Sequence, residues 1–228
     1  MAIKPILFNA DMVQAILDGQ KTQTRRIVKK KYINTDLEMY TNKYGTRLVE
    51  RQNDAPPPIR TVQPDGSVIT TRALVAIEEA IPPYRRGDIL WVRETWAEWT
   101  DGYAYKANNY ECVYPPSLVS KWKPSIHMPK EAARIFLRVK NVRAERVQDI
   151  SLADCKAEGI WDDYKASSEK HHANLQRAAY PVVFKELWNS TIKKDDLPTY
   201  GWEANPWVWV IEFERCEKPK GWCDAHAQ

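Results

Sequence analysis

Hydrophobic and polar positions alternate along this chain with two different periods. Ile6-Leu7-Phe8 is a short apolar run, and Met12, Val13, Ile16 and Leu17 then recur at helical spacing. Asn9 stands where an N-cap belongs and Gly19 where a left-handed residue ends a helix, so the opening reads strand, helix, then a turn into a β-branched strand over Lys21–Val28. Ile89–Trp96 predicts a strand, Tyr103–Tyr105 and Cys112–Tyr114 short ones, and Ile135–Lys140 a half-buried one by its clean alternation. Ser151, with Asp154 at N3, predicts a short helix ending at Gly159. A second helix is expected over Val182–Thr191, burying Phe184, Leu187 and Trp188, and Trp207–Phe213 is the last strand.

Between about residues 30 and 86 the apolar periodicity fades. Pro56-Pro57-Pro58 reads as loop and Pro64-Asp65-Gly66 as the turn of a hairpin. With too little patterning to own a core, this span is expected to be an insertion on a single domain covering residues 1–228, with a loose tail from about 216. Five or more strands with two or three short helices make the expected class α+β, mainly β, built as a barrel.

Composition narrows the function classes. Charged residues are 28% and hydrophobic ones 43%, as in a folded chain. No apolar run reaches the ~20 residues of a membrane helix, and Met1-Ala2-Ile3-Lys4-Pro5 opens no signal-peptide core, so a cytoplasmic protein without membrane contact is expected. Cys112, Cys155, Cys216 and Cys223 form no CxxC pair and read as free thiols, and His127, His171, His172 and His226 form no metal-ligand pattern. The net charge of +4 gathers in two stretches, Arg25/Arg26/Lys29/Lys30/Lys31 and Arg134/Arg138/Lys140/Arg143/Arg146, which are either solvated faces or a phosphate-backbone groove. Ten tryptophans are expected mainly in packing, with one or two available to stack a base.

Four motifs in order then carry a resemblance. Gly19-Gln20-Lys21-Thr22-Gln23-Thr24-Arg25-Arg26 fits the G-x-K-x-x-T-x-R signature of ASCH domains, relatives of the PUA RNA-binding barrel. Gly87-Asp88-Ile89-Leu90-Trp91-Val92 resembles the family's G-D-x-L-x-V strand, Ser151–Gly159 its short helix ending in Glu-Gly, and Val210–Phe213 its closing strand. Longer members of this appearance are common in bacteriophages. The resemblance implies a PUA-like/ASCH β-barrel with short flanking helices and a long insertion. Small bacterial members are amidohydrolases that remove acyl groups from N(4)-acetylcytidine and related nucleosides; carried over, their catalytic lysine, threonine and glutamate become Lys21, Thr24 and Glu158. No metal or organic cofactor is implied, nor an obligate protein partner.

The residues themselves fit that chemistry. A threonine hydroxyl needs a base, and lysine serves as one only when neutral, which burial or neighbouring charge such as Arg25 and Arg26 promotes. Glu158, just before Gly159, meets the negative end of its helix dipole, so it either finds a cation such as Lys21, serves as a general acid, or lies in solvent. Glu94 shares a strand face with Leu90, Val92 and Trp96 and points inward, as a structural ion pair or as a pocket residue reading a base edge; it is assigned to substrate binding. Arg26 either clamps substrate or locks the signature turn, and it too is assigned to binding. The leading reading is an acylated-nucleoside amidohydrolase. Its alternatives are a non-catalytic RNA or modified-nucleotide binder and a phage accessory factor using a tryptophan-rich surface.

Overall fold

In a computed structural model, residues 1–32, 35–53, 59–62, 65, 68–71, 77–99, 102–108, 121–160 and 169–222 are described. They divide into two compact units, Met1–Arg26 with Tyr84–Gln228, and Ile27–Pro83. The first unit opens with β1 (Ile3–Leu7), α1 (Ala10–Leu17) and β2 (Gln23–Ile27). The second holds β3 (Thr35–Asn42), β4 (Gly45–Gln52), β5 (Ile59–Val62), β6 (Val68–Thr71) and β7 (Ile77–Glu79). The chain then returns to the first unit with β8 (Ile89–Arg93), β9 (Trp96–Trp99), β10 (Gly102–Tyr105) and β11 (Phe136–Arg146). It finishes with the helices α2 (Leu152–Ala157), α3 (Glu169–Ser190) and α4 (Leu197–Tyr200), followed by β12 (Trp207–Cys216).

The first unit is organised by a five-stranded sheet in the order β1-β8-β11-β12-β2. β1 runs parallel to β8, whereas β11 is antiparallel to both β8 and β12, with a register shift between Val139 and Asn141. Ile6, Leu90, Val92, Leu137, Val139, Val208 and Val210 are buried along these strands, and Ile89, Phe136, Trp209 and Ile211 on the opposite face are buried as well, so the central strands are covered on both faces. α1 begins as its cap predicts: Asn9 Oδ1 accepts from Met12 N–H at 2.8 Å, and Val13, Ala15 and Ile16 face inward. α2 starts with the full capping box of Ser151 and Asp154.

Several elements depart from the expectation. Ile89–Trp96 is not one strand: it breaks at Glu94-Thr95, where the Glu94 N–H turns to the Met128 sulfur at 3.2 Å. The helix expected from Val182 starts at Glu169, because the preceding residues suit a helix without presenting an apolar stripe; Pro181, which favours a first turn, lies inside it. Phe184 and Trp188 are buried there and Leu187 half-buried. Beyond β12, Glu217, Lys218, Lys220 and Gly221 are exposed, but Trp222 is buried, its ring 5.0 Å from Phe136 and 5.8 Å from Trp91. Trp96, Trp188, Trp209 and Trp222 are buried and the other described tryptophans half-buried, whereas Trp161 lies outside the described residues. So do Cys112–Tyr114, Pro56–Pro58, Cys223 and His226.

The second unit contains the three-stranded sheet β3-β4-β7 and the antiparallel pair β5-β6. Val62 faces Val68 across the expected hairpin around Asp65. Among the described residues Val28, Leu48 and Val49 are its buried apolar residues, and Glu50 is buried with them, accepting from the Lys31 and Tyr32 backbone N–H groups and from the Thr35 hydroxyl. Among the described residues no helix is long and apolar enough to cross a membrane.

Candidate functional site

The signature segment is fixed by two helix ends. The backbone N–H groups of Gln20 and Lys21 both donate to Ala15 O, at 2.8 and 2.9 Å, capping one of the last carbonyls of α1. Thr22 N–H donates to Ala157 O at the end of α2, and Thr22 O accepts from Phe213 N–H of β12. Lys21 is thereby held between α1 and α2 with its side chain wholly removed from solvent.

Its ammonium finds the end of α2. Lys21 Nζ donates to Glu158 O at 2.8 Å and to Glu158 Oε2 at 2.7 Å, so the lysine meets both a helix-end carbonyl and a carboxylate. This resolves the awkward placement of Glu158 next to the negative pole of its helix: the acid carries its own cation. Gly159 makes the approach possible, since at φ +90° a Cβ would stand 3.0 Å from Ala15 Cβ and 3.2 Å from Lys21 Cβ. Burial pushes the Lys21 pKa down; Glu158 opposes this, while Arg26 and Arg25 add to it, and the net shift is below the ordinary lysine value.

The second oxygen of Glu158 belongs to Arg25. Arg25 Nη1 donates to Glu158 Oε1 at 3.0 Å, and Nη2 is hydrogen-bonded to Glu145 of β11 and lies 3.6 Å from Asp154 Oδ2. Arg143 continues the array, reaching Glu145 at 3.1 Å, Asp154 at 3.0 Å, and Glu212 of β12. Gln23 adds donations to Asp154 Oδ1 at 3.0 Å and to its backbone carbonyl at 3.1 Å. Gln23 and Arg25 therefore share the face of β2 that looks onto α2, and alternation puts Thr24 and Arg26 on the opposite face.

Thr24 is buried, and its hydroxyl donates no hydrogen bond among the described residues. Both described hydrogen bonds of Lys21 Nζ go to Glu158, so the structure joins Lys21 to Glu158 and does not join Lys21 to Thr24 by a hydrogen bond. Arg26 donates to Leu7 O at 2.9 Å and Arg25 O at 3.3 Å, with its guanidinium 5.4 Å from the Phe8 ring centre. Arg26, Phe8, Asn9, Met12, Tyr84 and Thr95 help to line a pocket of about 440 Å³, within the usual range for small-molecule sites. Phe8 also lies 5.7 Å from Lys21 Nζ, and so adjoins both the pocket and the buried pair.

Glu94 does not line this pocket, although its neighbour Thr95 does. It is buried and held by Arg134 in a bidentate pair, Nε to Oε1 at 2.8 Å and Nη2 to Oε2 at 2.9 Å, while Arg134 also bonds Asn108 and covers the Tyr105 ring at 4.0 Å. Of the two roles open to it from sequence, this geometry is the structural ion pair.

The basic stretches are largely neutralised: Arg134, Lys140 and Arg143 pair with Glu94, Glu214 and Glu212, and Arg25, Lys30 and Lys31 with Glu158, Asp36 and Glu78. Cations spent on carboxylates release fewer counterions from a phosphate backbone, which weakens the groove reading.

Sequence reasoning treated Arg25 only as nearby charge and Asp154 only as a cap. The signal was present in strand alternation, which puts Arg25 and Gln23 on one face opposite a helix that begins with an acid at N3. Glu145 and Tyr84 carried no local signal, because only contacts distant in sequence bring them to the site: Glu145 comes with β11, and the Tyr84 hydroxyl donates to Pro5 O at 2.9 Å. In comparison with known proteins, no family model, curated protein or solved structure matches this chain.

Proposed function

We propose that this chain is an ASCH-type amidohydrolase that removes the acyl group from N(4)-acylated cytidine or a related nucleoside. The observation that carries the reading is a lysine held entirely out of solvent, hydrogen-bonded twice to Glu158, lowered in pKa, and separated by a single aromatic residue from a nucleoside-sized pocket. Perturbed titratable groups beside a pocket are candidates for functional sites. The five-stranded sheet would form the wall of a PUA-like barrel. In support, Arg26 of one edge strand donates to the carbonyl of Leu7 at the end of the other.

The reaction requires Lys21 in its neutral form, which its lowered pKa favours; that amine gives two N–H bonds to Glu158, and its remaining tetrahedral position is the lone pair that accepts a proton. That lone pair takes the proton of Thr24 Oγ1 as the oxygen bonds to the acyl carbon. The carbon–nitrogen bond then breaks, and the proton passes from Lys21 to the leaving exocyclic amine. Water, activated by the same lysine, hydrolyses the Thr24 ester and restores the enzyme. Glu158 orients Lys21, and Arg26 contributes to the pocket wall.

The test is release of cytidine from N(4)-acetylcytidine. Wild type is expected to turn over, and Thr24→Val and Lys21→Met to lose about 10²–10⁴-fold in rate. Thr24→Val leaves the ionic array intact and should keep its melting temperature. No release across a panel of acylated cytidines would refute the proposal, and salt-sensitive RNA binding without turnover would replace it with the nucleotide-binding reading.

A further inference from the structure

We propose that Arg25 is a positioning residue of this centre, holding one oxygen of Glu158 so that the other is presented to Lys21. Arg25 stands outside the signature residues to which the hydrolase reading gives a role, and the inference rests on that reading only in what it makes of Lys21.

The geometry assigns the role oxygen by oxygen. Glu158 Oε2 goes to Lys21 at 2.7 Å and Oε1 to Arg25 at 3.0 Å, so neither can turn without breaking a charged hydrogen bond. Arg25 is itself immobilised: its side chain is only 1% exposed, its other terminal nitrogen is taken by Glu145 and approached by Asp154, and its guanidinium lies 5.6 Å from the ring of Phe184. A guanidinium taken this far from water is costly unless several carboxylates surround it, and three do. A lysine could not reproduce the arrangement, because a point charge cannot hold carboxylates on two elements with fixed directions.

The electrostatics point the same way. The charged groups facing Lys21 are Glu158 at the end of α2 and Arg25 and Arg26 of β2; the titratable groups facing Arg25 are Asp154 and the Cys155 thiol of α2, Glu158 at its end, and Glu145 of β11. Arg143 lies behind Glu145 and Asp154 and reaches out to Glu212. Arg25 lowers Lys21 directly by like charge and indirectly by drawing on the carboxylate that would otherwise serve Lys21 alone. Removing Arg25 therefore raises Lys21, and removing the Glu145 carboxylate, which leaves more of the Arg25 charge uncompensated, lowers it.

These opposite signs make the test. Lysine Cε and Nζ resonances are titrated by NMR in the full chain, Lys21 being assigned by its loss in Lys21→Met. In Arg25→Gln the Lys21 midpoint is expected to rise by about one unit, the scale on which a neighbouring charge acts. In Glu145→Gln, a milder change at a partly exposed acid that does not touch Lys21, it is expected to fall. Where wild type hydrolyses acylated cytidine, the rising limb of its pH–rate profile should move with the same signs. An unchanged Lys21 midpoint in either folded variant, or a shift of the same sign in both, would overturn the role of Arg25. The titration needs no turnover, so absence of hydrolysis would count against the enzyme reading and leave this one standing or falling on its own data.

Discussion

Gly159→Ala offers a demanding test of how Lys21 is held. The glycine has φ +90°, where an L-residue costs about 1–2 kcal/mol. The added methyl would also sit 3.0 Å from Ala15 Cβ and 3.2 Å from Lys21 Cβ, both on backbone-anchored carbons that cannot swing aside. Overpacking of that kind costs about 1–3 kcal/mol, so the whole change is expected to destabilise by about 2–5 kcal/mol. For a protein of this size each kcal/mol lowers the melting temperature by about 2–4 °C. Gly19→Ala is the internal control: its φ is +74° but nothing lies within 4 Å of the added carbon, so it carries the strain without the clash. Scanning calorimetry of both variants, with Ala15→Gly and the Gly159→Ala/Ala15→Gly pair, separates the two contributions. Gly159→Ala should lose more than Gly19→Ala, and Ala15→Gly should recover part of that excess despite its own cost in α1 of about 1 kcal/mol. Equal losses at Gly159 and Gly19, or no recovery in the pair, would refute the close approach of α2 to Lys21.

Glu94→Gln should lower stability by roughly 2–3 kcal/mol, at or below the ~3 kcal/mol that breaking a fully buried pair costs at least, because the stranded Arg134 retains some solvent, and should leave nucleoside turnover per folded molecule unchanged. Turnover that falls tenfold or more at full folding would return Glu94 to the pocket. Acid stability follows from Asp88 and Asp154. Burial would raise both; at Asp88 the Ala2 and Arg85 N–H groups and Lys4 outweigh it, and at Asp154 Ser151, Gln23 and Arg25 do, leaving each below the ordinary aspartate value. A lowered carboxyl stabilises the fold fully above its unfolded-state pKa of about 4, and that contribution disappears as pH falls through the folded-state value. Urea midpoints should therefore hold from pH 7 to about 4.5 and drop below it, with a smaller drop in Asp88→Asn; an equal drop there would remove Asp88 from the account.

The strands and the caps were legible because they are local. Asn9, Ser151 and Gly159 announce helix ends by the hydrogen bonds and backbone angle their chemistry favours, and Ile135–Lys140 announces a strand by its period, although Ile135, Phe136 and Leu137 are all buried and the half-buried alternation holds only from Leu137 onward. The start of α3 was not legible: Glu169–Tyr180 lacks an apolar stripe, and Pro181 mimics a first turn, so the pattern placed the start 13 residues late. The site was legible to the same degree and for the same reason. A cation partner was one of the roles that the position of Glu158 at a helix end left open, and the structure pairs it with Lys21. That Arg25 would divide the carboxylate with Lys21 could not be read, because it depends on β11 supplying Glu145 from 120 residues away to keep the guanidinium buried. Glu94 shows the converse: its inward direction follows from alternation, but whether an inward acid serves a pocket or an arginine depends on what the rest of the fold brings to meet it. A buried charge in a sequence thus fixes that a partner exists; the long-range pairing of strands decides which one, and with it whether the charge is available for chemistry.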